Sequence, residues 1–280
     1  MEKILVTTDL SNNSKAAIRF AIQLAKLRKA ELIILHVYHL MKPFKWTDEL
    51  FARHTATFLK INSAELKSFI SNIYKSIDET YIRYEVAQVS NSNVVEGIIK
   101  YAQKNQVSYI CISTKGAGVV TKLFGTHTAK LISQSPVPII CIPSSYHLKP
   151  IKSILYASDL GDYEREFAKV IDFARPLDAS VELMHISYPL EFANDTELLE
   201  ATLNKVANYK VTVLNKKIDI SKAMLDGIDD AIKVSRPSLI ILFTDQSKSM
   251  FEKLLYPSNT EDYSYYGKTP MLTFSKIATK

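Results

Sequence analysis

The sequence Ile-Leu-Val-Thr-Thr-Asp-Leu at residues 4–10 is repeated, with substitutions, as Ile-Leu-Tyr-Ala-Ser-Asp-Leu at residues 154–160, and this repeat is the main indication of the fold. Each stretch is an apolar run that ends near an acid, and a segment with apolar residues at helical spacing follows it. Beyond each helical segment a second apolar run reaches a histidine, His36 in the first half and His185 in the second. This long repeat predicts two tandem domains of one fold.

Short apolar strands alternate with helical segments through both halves, which predicts a parallel sheet with helices on both faces. The runs are continuous rather than alternating, as expected for strands buried on both sides. We expect domains at residues 1–146 and 151–280, joined by a linker between Pro143 and Pro150. The predicted strands are 3–7, 31–37, 81–88, 107–113, 138–142, 152–157, 180–186, 210–216, 238–243 and 270–274.

Two helical segments leave local questions open. The apolar pattern between residues 43 and 77 fits one long helix or two helices broken near residues 61–63. The helix predicted at residues 93–104 has Asn91 or Ser92 as its expected N-cap.

Composition excludes several classes of protein. Of the 280 residues, 47% are hydrophobic and 23% charged, which is typical of a soluble globular chain. No apolar run approaches the roughly 20 residues of a membrane helix, and the N-terminus does not resemble a signal peptide. Cys111 and Cys141 lie in apolar strands without a Cys/His cluster, so we expect buried free thiols, no metal site and a cytoplasmic location.

The net charge of +6 has two interpretations. A nucleic-acid surface would gather the lysines and arginines beside aromatic residues on one face. Here they are scattered along helical segments beside Asp and Glu, which favours solvated helix faces. We therefore expect neither nucleic acid nor a membrane as a partner.

Several motifs, taken in order, resemble the universal stress protein family: the strand at residues 4–10, Leu-His-Val at 35–37, Ser-Thr-Lys-Gly-Ala-Gly at 113–118 and Phe-Gly-Thr-His-Thr-Ala-Lys at 124–130. The resemblance extends over nearly the whole chain, because each half resembles the family separately. It implies two five-stranded, doubly wound α/β sheets of strand order 3-2-1-4-5, the adenine nucleotide alpha hydrolase-like arrangement. It also implies pairing of the domains through their last strands, which a tandem chain can achieve internally.

The resemblance further implies ATP or a related nucleotide at the carboxyl ends of the strands, as in the nucleotide-binding branch of the family, and we expect Mg to accompany ATP. The family's phosphate motif is Gly, two residues, Gly, nine residues, then Gly with Ser or Thr. This chain departs from it, because Ser113 replaces the first glycine and only eight residues separate Gly116 from Gly125. By resemblance, the ligand-binding residues are Thr7, Thr8, Asp9, Val37, Ser113, Gly116, Gly125, Thr126 and His127.

Elementary chemistry supports part of this site and offers simpler alternatives for the rest. A glycine that opens a helix at Thr126 leaves free amides for a phosphate, but it is also an ordinary cap. Asp9 fits an Asx-turn or helix cap as well as an adenosine contact, and Val37 fits a strand-end core position. His36 and His185 suit histidines satisfied by neighbours better than catalytic bases.

The second half lacks the glycine and the backbone N–H group that would bind a phosphate. No glycine follows its fourth strand at residues 244–249, and Pro257, which has no N–H, stands where Gly-Thr would open a helix. We expect this domain to be a structural or regulatory partner.

Three functions remain open from the sequence. The first is a non-enzymatic stress-response protein that binds an adenine nucleotide in its first domain. The second is an interaction or scaffold protein without nucleotide that dimerises through its sandwich domains. The third is a phosphate-transferring enzyme that uses Thr126 or His127.

Overall fold

A computed structural model describes residues 1–79, 83–114, 125–158, 163–187, 196–217, 224–244 and 268–276. Strands and helices alternate within this part of the chain, as the sequence predicts. The first half contains β1 (Lys3–Thr7), α1 (Ser14–Arg28), β2 (Glu31–Tyr38), α2 (Asp48–Ser76), β3 (Tyr84–Ser90), α3 (Val94–Lys104), β4 (Tyr109–Ser113), α4 (Thr126–Gln134) and β5 (Ile139–Ile142). The second half contains β6 (Ser153–Ser158), α5 (Tyr163–Ala174), β7 (Ser180–Ser187), α6 (Thr196–Ala207), β8 (Val211–Lys217), α7 (Met224–Ser235), β9 (Leu239–Thr244) and β10 (Met271–Ser275). The helix predicted near residues 249–264 lies outside the described residues.

The strands form one ten-stranded sheet of order β3-β2-β1-β4-β5-β10-β9-β6-β7-β8. The first half has the predicted order 3-2-1-4-5, and the second half repeats it as β8-β7-β6-β9-β10. The fold-class prediction is confirmed, although the ten strands form one continuous sheet rather than two. All pairs are parallel except β5 with β10, where Ile139 pairs with Thr273 and Cys141 with Met271.

Alternate residues of each strand enter two separate cores. Ile4 and Val6 of β1 and Cys111 of β4 face the layer that contains α1 and α2, which we call the α1 face. Leu5 and Ile110 face the opposite layer, which contains α3 and α4. These strand residues are fully buried, as continuous apolar strands between two helix layers require.

Helix α2 is a single helix of 29 residues, which settles the question left open at residues 61–63. Thr47 caps it by accepting a hydrogen bond from the amide of Leu50 (3.2 Å). Its buried residues all lie between Asn62 and Tyr74, whereas the first half of the helix is at most partly buried, for example where Phe58 packs on the ring of Tyr38. The predicted cap of α3 was wrong: Asn93 accepts from the amide of Glu96, while Asn91 accepts from the amide of Asn93 in a preceding Asx-turn.

Arg28, at the end of α1, joins the two halves. Its guanidinium donates to both carboxylate oxygens of Glu2 (2.6 and 2.9 Å) and to the carbonyl of Phe173 in α5 (2.7 Å). The guanidinium also lies 5.3 Å from the ring centre of Tyr109 and 5.1 Å from that of Phe173. One side chain therefore connects α1, the N-terminus and the second half.

Candidate functional site

Thr8 is the first residue after β1, at the edge where parallel β1, β2 and β4 all end. It is buried, and its amide donates to the carbonyl of Leu35 (3.0 Å). Its hydroxyl lies 2.8 Å from the hydroxyl of Ser14 and accepts from the amide of Leu10 (3.0 Å). Leu10 takes a left-handed conformation (φ 62°). Thr8 thus shapes the turn that leads into α1, and Thr7 ends the strand half-buried.

Asp9 is exposed at the same edge. Its Oδ1 accepts hydrogen bonds from the amide of Ser11 (3.0 Å) and from the hydroxyl of Ser11 (2.6 Å). This is an Asx-turn, the simpler of the two roles that the sequence offered. The adenosine contact of Asp9 stays a prediction.

The two repeated histidines bridge strand ends. His36 Nδ1 lies 2.9 Å from the carbonyl oxygen of Thr8, and His185 Nδ1 lies 3.5 Å from that of Ser158. The same contact in both halves gives these side chains a structural role at the end of the strand. This agrees with the interpretation that the sequence favoured.

Ser113, the last residue of β4, is the most informative residue at this edge. It is 7% exposed, yet its Oγ has no hydrogen-bond partner among the described residues. Val6 of β1 pairs with Cys111 of β4, and both side chains lie on the α1 face. Two residues further along each chain, the same alignment places Ser113 beside Thr8 on that face. A buried hydroxyl without a partner costs about 1–3 kcal/mol, so such a group calls for an explanation.

Helix α4 begins next to Ser113. The hydroxyl of Thr128 donates to the carbonyl of Ser113 (2.9 Å), and the amide of Gly125 donates to the carbonyl of Thr114 (2.6 Å). The first helical bond runs from Ala129 to Gly125, so the amides of Thr126, His127 and Thr128 have no acceptor in the described part of the chain. These amides and the helix dipole favour an anion there, while the amide of Gly125 is already used.

Two predicted residues remain to be placed. The side chain of Val37 packs partly buried against α3, with Cγ1 3.1 Å from the point where a Cβ on Gly97 would lie. The strand-end core role suggested as its alternative is therefore present. The side chains of Thr126 and His127 are exposed. Gly116 lies outside the described residues, as do Lys115 and Lys122 of the same loop.

In the second half, an aromatic ring stands at the position of Ser113. Leu5 pairs with Ile110 just as Leu155 pairs with Ile240, so Phe243 is the counterpart of Ser113. Its ring stacks on Phe274 with 4.9 Å between the ring centres, and the ring of Tyr156 packs edge-to-face with 5.7 Å between the centres. Tyr156 itself replaces Val6 of the first half.

A polar network surrounds this aromatic group. The hydroxyl of Tyr156 donates to Oε2 of the buried Glu166 (2.5 Å) and lies 3.0 Å from Oγ of Ser158. Lys276 places its Nζ 3.1 Å from Oε1 of the same carboxylate, so this buried acid is paired. In the described part of the second half, aromatic side chains therefore occupy the position that Ser113 and its unpartnered hydroxyl occupy in the first half. The replacements of Val6 by Tyr156 and of Ser113 by Phe243 are visible in the repeat and were missed in the sequence analysis.

No group of three or more His, Cys, Asp or Glu side chains is placed to hold a metal ion in the part of the chain that the structure describes. None of its helices combines the length and the apolar character needed to cross a bilayer.

The chain was compared with known proteins. Its fold is similar to that of a universal stress protein from Archaeoglobus fulgidus DSM 4304, with a TM-score of 0.69 and 17% identity over 98% of this chain and 96% of that one. It is also similar to a protein of unknown function from Pseudomonas aeruginosa PAO1, with a TM-score of 0.60 and 14% identity over 98% and 92% of the two chains. A universal stress protein from Archaeoglobus fulgidus in complex with dAMP matches 50% of this chain and 97% of its own length, with 20% identity and a TM-score of 0.35. No curated protein sequence matches the chain.

The first two of these likenesses extend over both halves and establish the fold. The sequence profile described as the universal stress protein family matches residues 1–143, which is more than half of the 280 residues. The chain therefore belongs to the universal stress protein family.

Proposed function

We propose that this protein is a stress-response protein that binds one adenine nucleotide, ATP, at the carboxyl edge of β1 and β4 in its first half. Binding at this position follows the rule that ligands of open α/β sheets lie where the strand order reverses. Strand β1 is that position, since β2 and β4 leave it in opposite directions along the sheet.

The observation that carries the proposal is the buried, unpartnered hydroxyl of Ser113. It lies beside the turn at Thr8 and next to the start of α4, where three consecutive amides also lack acceptors among the described residues. A phosphate or ribose oxygen would satisfy groups that nothing in the described chain satisfies. These residues therefore fit the ligand that family membership suggests.

The site suits binding better than catalysis. The histidine nearest to Thr8 is held against a backbone carbonyl, and Asp9 is engaged in a turn. Neither side chain is arranged to activate a water or a hydroxyl against a phosphate. We therefore assign the nucleotide the role of a ligand whose presence is sensed, with Mg accompanying its phosphates.

The second half acts in this proposal as the permanent partner of the first. Its last strand continues the sheet by antiparallel pairing with β5, so the chain supplies internally the pairing that the family resemblance implies. At its equivalent edge, the described residues place the aromatic ring of Phe243 and a paired Glu166 where the first half has Ser113 and its unpartnered hydroxyl. The two buried free thiols suit a reducing compartment, and we propose the cytoplasm.

The experiment is isothermal titration of ATP with Mg into the purified protein, a Ser113→Phe variant and a Gln134→Phe control. Ser113→Phe imports the side chain of the second half into the proposed site, whereas Gln134 is exposed at the far end of α4. We expect saturable binding in the wild type and the control, and none in Ser113→Phe. Thermal melting verifies that each variant is folded.

A milder variant keeps the test decisive if Ser113→Phe does not fold. Ser113→Ala removes only the unpartnered hydroxyl, and we expect it to weaken ATP binding by roughly fivefold to tenfold. Unchanged affinity in both folded Ser113 variants contradicts the proposed site. An absence of binding in the wild type contradicts the proposed function and favours an interaction protein without nucleotide.

A further inference from the structure

The connection between β2 and α2 carries the most exposed aromatic side chain on the described surface. Phe44 is 102% exposed, which is the exposure of an isolated residue, and nearby Met41 is 80% exposed. Most large apolar residues in the described chain are buried, and here two strongly exposed ones lie only three residues apart. Leu50 and Ile61 are also exposed, and both lie on the first half of α2, which contains no fully buried residue.

The exposure of Phe44 follows from a turn with defined contacts. The amide of Trp46 donates to the carbonyl of Pro43 (3.0 Å), which closes a four-residue turn with Phe44 and Lys45 at its tip. The ring of Trp46 lies edge-on to that of His54 (5.0 Å between ring centres), and Lys42 pairs with Asp48 (2.6 Å). Both contacts hold the turn against the first turns of α2. We call residues 41–46 the aromatic turn.

The charges around the aromatic turn are mainly positive. Residues 39–61 contain four lysines and arginines against two acids, Asp48 and Glu49. Lys42 neutralises Asp48, which leaves Lys45 beside Phe44 at the tip. The whole chain carries a formal charge of +6, so its overall charge has the same sign.

We propose that the aromatic turn docks the protein onto the surface of an anionic lipid bilayer. The exposed aromatic ring of Phe44 and the thioether of Met41 enter the boundary between headgroups and acyl chains, while the ammonium group of Lys45 remains with the phosphates. Attraction of cationic side chains to acidic headgroups adds to this apolar contact. The proposed contact differs from the sequence-based expectation of no membrane partner, and it is peripheral and crosses nothing.

The shape of the turn favours a bilayer over a protein partner. A projecting tip needs a matching pocket on a protein, whereas a fluid bilayer accommodates a convex wedge without one. The pairing of a fully exposed phenylalanine with an adjacent lysine also matches the two layers of a bilayer surface, acyl chains below and phosphates above. The proposal does not depend on nucleotide binding, because the aromatic turn is defined by its own contacts.

Co-sedimentation with lipid vesicles tests the proposal. The full chain is mixed with vesicles of equal parts phosphatidylcholine and phosphatidylglycerol, and separately with vesicles of phosphatidylcholine alone. We expect binding to the anionic vesicles that weakens as salt is raised, and little binding to the neutral ones. Phe44→Asp and Lys45→Glu should each weaken binding by about tenfold or more.

The matched control is Val234→Asp. Val234 is 81% exposed, but it lies on α7, far along the chain from the aromatic turn. This substitution adds the same acid in place of an exposed apolar residue, and we expect unchanged vesicle binding. All three altered side chains are exposed or at an exposed turn, so melting temperatures close to that of the wild type should accompany them.

Three results overturn the proposal. The first is an absence of wild-type binding to anionic vesicles at low salt. The second is equal weakening by Phe44→Asp and Val234→Asp, which would indicate a general charge effect. The third is self-association of the wild type that Phe44→Asp abolishes while vesicle binding is unchanged, which would make a second copy of this chain the occupant of the turn.

Discussion

Removal of the Arg28 side chain should weaken the connection between the two halves. The Arg28 side chain is 8% exposed, and its guanidinium donates hydrogen bonds to both oxygens of Glu2 and to the carbonyl of Phe173. Burial opposes its charge, but the hydrogen bond to Glu2 and nearby electrostatic partners more than compensate and raise the pKa of Arg28 above its ordinary value. We therefore predict that Arg28→Ala destabilises the fold through loss of a charged, three-way contact.

The magnitude follows from the contacts. A hydrogen bond to a charged group contributes about 1.5–3 kcal/mol, and each ring contact adds about 0.5–1 kcal/mol. Glu2 is 24% exposed, so water partly compensates for its lost partner. We expect the free energy of unfolding to fall by about 3 kcal/mol in Arg28→Ala, or a melting temperature lower by roughly 6–12 °C. Arg28→Lys keeps the charge but loses the forked geometry, and about half of this loss should remain.

Urea unfolding followed by circular dichroism measures the effect. Lys100→Ala is the control, because Lys100 pairs with Glu96 along the exposed face of α3, where both side chains are largely in solvent. We expect the control to change the free energy of unfolding by less than about 0.5 kcal/mol. If Arg28→Ala falls within that range, Arg28 does not stabilise the junction, and the reasoning from burial and hydrogen bonds is refuted.

Three further predictions concern the core. Burial raises the pKa of both Cys111 and Cys141, so a thiol reagent at mildly alkaline pH should label neither in the native protein and both in denaturant; rapid native labelling would contradict this. Burial raises the pKa of Tyr109 from 10.0 to about 12, so the folded state keeps its proton longer than the unfolded state. Stability from this residue should be complete below pH 10 and decline as the pH rises towards 12, and Tyr109→Phe should reduce the decline in urea midpoints. Gly97→Ala places a methyl 3.0 Å from Cβ of Asn91 and 3.1 Å from Cγ1 of Val37. Because of this crowding, we expect the free energy of unfolding to fall by about 1–2 kcal/mol, despite the better helix propensity of alanine. A stabilised variant in the same urea assay would contradict the packing.

Hydrophobic patterning was enough to predict the strands and most of the helices. The runs at residues 4–6 and 32–35 are continuous because both faces of their strands are buried, and such runs are readable without a structure. The order of the strands came from the family resemblance, since periodicity alone says nothing about which strands are neighbours. The cap of α3 was misassigned because Asn91, Ser92 and Asn93 all suit a cap, and only the backbone geometry selects Asn93.

The candidate site was only partly accessible from sequence. The motif pointed to Ser113 and Gly125, but the unpartnered state of the Ser113 hydroxyl depends on how β1 and β4 are aligned. The occupation of the equivalent position in the second half by Phe243 and Tyr156 likewise depends on residues far apart in sequence meeting across the sheet. The exposure of Phe44 depends on a turn and a capped helix, and an apolar residue between lysines gives no sign of it in the sequence.

The number of adenine nucleotides bound per chain tests directly whether the protein has a single nucleotide site, in its first half. Equilibrium dialysis with radiolabelled ATP and Mg gives this number for the intact protein without a mutation. We predict saturation at one nucleotide per chain, because the described part of the first half offers an unpartnered hydroxyl and amides without acceptors. In the described part of the second half, the aromatic ring of Phe243 occupies the equivalent position. Saturation at two per chain would contradict a single site in the first half, and no saturable binding would contradict the nucleotide site itself.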